Sequence, residues 1–149
     1  MEILNFDKKC IIKIKDMGSW GHRCFENDAA GDWIVTLMKF PTWDFIEKTI
    51  LKVNQNMHIG YEEEILAAIE VIAIKQGNRP KDYDEVEHNL EIVIDKLPKI
   101  PNTKLIEMSI KAVKEILKES HLREKIEYVG YENEWEVIMR DLIKRVKNC

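Results

Sequence analysis

The sequence predicts an all-α fold: an array of about six helices in helical hairpins, with a small β-hairpin at the N-terminus. Three observations predict it. Apolar residues recur at spacings of three and four from Asn27 almost to Cys149, the period of a helix that buries one face. Short breaks rich in Pro, Gly and Asn separate these stretches. Only 6 Gly and 4 Pro occur in 149 residues, too few for the many turns of a β-sandwich or barrel.

The elements follow in order. Cys10-Ile11-Ile12-Lys13-Ile14 is a β-branched run that reads as a short strand, paired with Ile3-Leu4-Asn5-Phe6 across Asp7-Lys8-Lys9. The first helix starts at Asn27 or Asp28, either of which can cap it, and carries Trp33, Leu37 and Phe40 on its apolar face. Pro41 breaks the chain. Thr42 then caps a second helix with Trp43, Ile46, Ile50 and Val53. The region of Asn54, Asn56 and Gly60 forms the next break, and a third helix spans Tyr61 to Gln76 through Ile65, Ala68, Ile69 and Ile72. Gly77 stops it, and Asn78-Arg79-Pro80 turns the chain. The fourth helix, Tyr83 to Leu97, presents Val86, Leu90, Val93 and Leu97 before Pro98 and Pro101 close it. The fifth runs from Asn102 to Glu119 on a stripe of Ile106, Ile110, Val113 and Leu117. A short helical piece from His121 to Tyr128 precedes Gly130, and the last helix, Glu132 to Lys147, presents Trp135, Ile138, Leu142 and Val146.

A chain of this length fits one domain with one core. Residues 1–16 read as an extension and residues 17–149 as the helical domain. Hydrophobic residues make up 45% and charged residues 34%, too apolar for a disordered tail and too charged for a membrane protein. The most apolar window, Ile65–Ile74, is interrupted by Glu70 and falls short of the roughly 20 residues that span a bilayer. The start, MEILNFDKKC, has no apolar stretch of secretory length. Cys10, Cys24 and Cys149 are an odd count at irregular spacing, as reduced thiols would be. The expected location is the cytoplasm.

Charge is uneven along the chain. The whole carries −4, yet residues 61–97 hold ten acids against four bases, and residues 98–126 hold seven bases against four acids. The net balance excludes a general nucleic-acid binder, which needs a basic footprint. If the third and fourth helices lie side by side, their solvent faces form an acidic surface beside a basic fifth helix. Such a surface either keeps the protein soluble or docks a basic partner. On the docking reading, Glu62, Glu63, Asp84, Glu87 and Glu91 are the expected contacts.

No catalytic constellation emerges. His22 and Cys24 with Cys10 match no standard zinc spacing and lack a fourth ligand. Glu26, Asp28 and Asp32 are three carboxylates within seven residues, but capping and helix-dipole complementation account for Asp28 and Asp32 without a metal. Glu62-Glu63-Glu64 likewise fits a helix's first turn. His58, His88 and His121 are scattered, with no nucleophile motif beside them, and no phosphate loop or GxGxxG occurs. Trp33, Trp43 and Trp135 fall on apolar faces, whereas Trp20 stands in a loop and could plug the helical body. The expectation is a protein that is not an enzyme, with no cofactor and no metal.

One stretch is more specific. Met17-Gly18-Ser19-Trp20-Gly21, then Phe25-Glu26-Asn27-Asp28, then Asp32-Trp33, resembles the signature of a bacterial family catalogued as domain of unknown function 4259. The matching positions are Gly18, Trp20, Gly21, Phe25, Glu26, Asn27, Asp28, Asp32 and Trp33. Gly60-Tyr61, Asn78-Arg79-Pro80 and the closing helix from Trp135 are similar to later family features, so the resemblance covers about residues 17–148. Arg23 and Ala29 depart from it, standing where the family has a glycine and a second aspartate.

The resemblance implies a small cytoplasmic helical protein without established enzymatic activity. Such families occur among the immunity proteins of polymorphic-toxin and contact-dependent growth inhibition systems. It therefore implies a protein that binds a cognate toxin domain and occludes its active site, and the acidic charge pattern favours a basic nuclease, such as an RNase, as that toxin. No direct nucleic-acid or membrane contact is expected. The alternative is a non-enzymatic helical scaffold or regulatory binding module.

Overall fold

The computed structural model describes residues 27–53, 55, 58–81 and 88–147. Seven helices fill these stretches: α1 (Asp28–Lys39), α2 (Trp43–Ile50), α3 (Ile59–Lys75), α4 (His88–Lys96), α5 (Thr103–Lys118), α6 (His121–Val129) and α7 (Glu132–Lys147). No strand occurs among the described residues, so the fold is mainly α. The expected N-terminal hairpin lies outside them, as does the start of the fourth helix from Tyr83 to Glu87.

The organising element is α3. Every residue from Ile65 to Ile74 is buried, on all sides of the helix and not along one stripe. A helix that is apolar all round has to be covered all round. Helices α1, α2, α4, α5, α6 and α7 all pack against it. The sequence already marks this segment as its most apolar window.

Glu70 is the one charged residue inside that window, and it is only 4% exposed. Burying a lone carboxylate would be costly. Arg145 of α7 answers it from 75 residues away, with Nη1 and Nη2 donating to the two carboxylate oxygens, the Nη2 bond at 2.9 Å. Its Nε donates to Asp141 at 2.7 Å and its Nη1 to the Asn78 carbonyl at 3.1 Å. Burial by itself works against the guanidinium charge, but Glu70 and Asp141 outweigh it and raise the Arg145 pKa. Asn78 closes the arrangement, its side-chain amide donating to the Arg145 carbonyl at 2.8 Å. The turn after α3 and the last turn of α7 are thus tied together.

Local signals set the helix ends. Asn27, Thr42, Asn102 and Ser120 each accept a backbone N–H three residues on, at 2.7, 3.2, 3.1 and 2.9 Å. Gly130 ends α6 at φ +83°, where a side chain would be strained. The indole N–H groups of Trp33 and Trp43 also find partners, Thr49 Oγ1 and the Pro98 carbonyl, both at 2.8 Å. Trp43 thereby joins α2 to the segment before α5, while Trp135 packs within the core.

Three expectations require correction. Gly60 is not a break: α3 begins at Ile59, because the His58 imidazole caps it by accepting from Tyr61 N at 3.4 Å. The His58 ring lies so close over Gly60 that a Cβ there would sit 3.0 Å from it. Phe40 does not enter the core but is 59% exposed, since α1 has ended at Lys39. The buried stripe of α5 runs one residue ahead of the expected one, through Leu105, Ser109, Ala112 and Ile116, with Val113 and Leu117 beside it. Ile106 and Ile110 flank it, half-buried.

Candidate partner-binding surface

Of the five acidic residues expected to contact a partner, the first two are turned inward. Glu62 is 2% and Glu63 is 6% exposed. The first turn of α3 faces the start of α6, whose N–H groups lack helical partners. The Glu62 carboxylate accepts from Leu122 N at 2.7 Å and His121 N at 3.2 Å, and so works beside the Ser120 cap. Glu63 lies 3.9 Å from the Lys125 ammonium of the same helix, both side chains nearly buried. Glu91 is partly exposed and paired with Arg79 through bonds of 2.9 and 3.3 Å. Asp84 and Glu87 lie outside the described residues. The first turn of α3 therefore contributes packing, not a solvent-facing acidic surface.

The acidic feature that does form is elsewhere. A cleft of about 250 Å³ opens where the turn after α2 meets α3, α5 and α6. Its walls include Glu62, Glu115, Glu119 and Glu124, together with Val53, Ile116, Ser120 and His121. Each acid is set there by a different constraint. Glu62 is held by the amides that it caps, Glu115 stands in the last turn of α5, and Glu119 is the cap just beyond it. Glu124 follows Ser120 in the first turn of α6, with its Oε1 3.8 Å from His121 Nδ1. Glu115 Oε2 is buried and has no hydrogen-bond partner among the described residues.

Helix α5 carries the opposite charge next door. Lys104, Lys111, Lys114 and Lys118 are all exposed. Three of them line a shallow groove of about 410 Å³ with Glu107, Ile110 and Glu115. Glu115 borders both depressions and so marks the ridge between acidic and basic surface. The expectation of a basic fifth helix thus holds for one flank only.

The signature residues have structural places where they are described. Asn27 caps α1 and is 5% exposed. Asp28 sits in the first turn, where a carboxylate suits the dipole, and is exposed, as is Asp32 one turn later. Trp33 is core, stacked on Phe45 at 5.6 Å between ring centroids. Gly18, Trp20, Gly21, Phe25 and Glu26 lie outside the described residues, and with Glu26 so does part of the Glu26–Asp28–Asp32 grouping. No three His, Cys, Asp or Glu side chains among the described residues converge to hold a metal ion.

Residues 18–136 match the family model described as domain of unknown function DUF4259. The chain belongs to that family. Comparison with curated proteins and with solved structures returned no match. The family span takes in α1 to α6 and the opening of α7, and hence every residue of the acidic cleft. Arg145, the partner of Glu70, lies beyond it. No helix among the described residues is long and apolar enough to cross a membrane.

Proposed function

We propose that this protein is a cytoplasmic immunity protein that binds a cognate toxin domain and occludes its active site. The observation that carries the reading is the acidic cleft of Glu62, Glu115, Glu119 and Glu124. The proposed partner is a nuclease, with an RNase first in order, because a nuclease must present basic groups to hold phosphates. An arginine or lysine from that surface would enter the cleft and supply the partner that Glu115 Oε2 lacks among the described residues. Opposite charge across an interface speeds encounter and fixes orientation. Immunity of this kind requires a binding surface and no chemistry of the inhibitor's own.

Growth rescue tests the reading. The C-terminal domain encoded immediately upstream is expressed from an inducible promoter, with and without this chain. Arrest relieved by the wild-type protein, and relieved less by the Glu119→Lys, Glu124→Lys double variant, supports both the role and the cleft. Arrest without relief, or a harmless upstream domain, removes this pairing and leaves the helical scaffold reading ahead. Relief that the double variant retains in full keeps the role and moves the interface away from the cleft.

A further inference from the structure

We draw no further inference here: the strongest candidate outside the acidic cleft, the open groove of about 740 Å³ between the start of α1, Ile59 of α3 and the α6 face bearing Lys125 and Tyr128, carries none because nothing in the structure shows what covers it.

Discussion

Two groups of glutamates in this protein have the same side chain and opposite circumstances. Glu62, Glu63 and Glu70 project from the central helix into protein, and each meets a donor there: the α6 amides, Lys125 and Arg145. Glu115, Glu119 and Glu124 border an open cleft, and one buried oxygen of Glu115 has no hydrogen-bond partner among the described residues. The first group is bound into the fold, and its removal should be felt as lost stability. The second contributes little to holding the fold together, and its removal should be felt elsewhere. Substitutions on each side of this contrast test it.

The largest effect is expected at the buried pair. Arg145→Met leaves the Glu70 carboxylate inside the core without its guanidinium, which typically costs about 3–5 kcal/mol. Urea denaturation should show that loss. The double variant Glu70→Met, Arg145→Met should recover most of it, because well-packed apolar groups replace a buried ion pair at little cost. A single variant as stable as wild type would mean that Glu70 belongs with the open group.

Next comes Glu62→Ala, which removes the acceptor for two α6 amides. The expected loss is about 1–3 kcal/mol, since those N–H groups stay partly buried. Amide exchange at His121 and Leu122 should accelerate more than exchange at Ile69 in the core. Equal acceleration at all three would indicate global destabilisation and not a lost cap.

The contrast was only half legible in the sequence. Helix positions, the caps at Asn27 and Thr42, and the apolar window of α3 could be read because each depends on neighbours within a turn or two. The roles of Glu62 and Glu63 could not. Acids in a first turn are favoured by the helix dipole whether they face water or protein, so position alone does not tell these apart. The cleft was hidden for a related reason: its glutamates stand at 62, 115, 119 and 124, and only the packing of α3 against α5 and α6 brings them together. Ser109 shows a third limit of the sequence pattern. It reads as a polar residue beside the isoleucine stripe, yet it occupies the buried face because its hydroxyl donates to the Leu105 carbonyl at 2.8 Å.

Glu115→Gln should act in the other direction. Glu115 in the last turn of α5 and Glu119 at its C-cap are like charges beside the negative end of the helix dipole, an arrangement worth about 0.3–1 kcal/mol of destabilisation. Neutralising one should raise the denaturation midpoint slightly. A drop of more than about 1 kcal/mol would show that the Glu115 carboxylate supports the fold, and would dissolve the distinction between the two groups.

The smallest stability change, and the one that separates function from fold most clearly, is expected for Glu119→Lys with Glu124→Lys. Surface substitutions away from packed contacts stay within about 0.5 kcal/mol each, so the denaturation curve should hardly move. The effect should appear in binding to the upstream toxin domain. Opposite charges steer encounter, and that steering is screened at ionic strengths where the Debye length falls below about 10 Å. Wild-type association should therefore slow as salt is raised. The double variant should begin slow at low salt and lose most of that dependence, while dissociation changes less than association. Equal association rates at low salt would place the interface elsewhere on the molecule, and a variant that loses stability would return these carboxylates to the structural group.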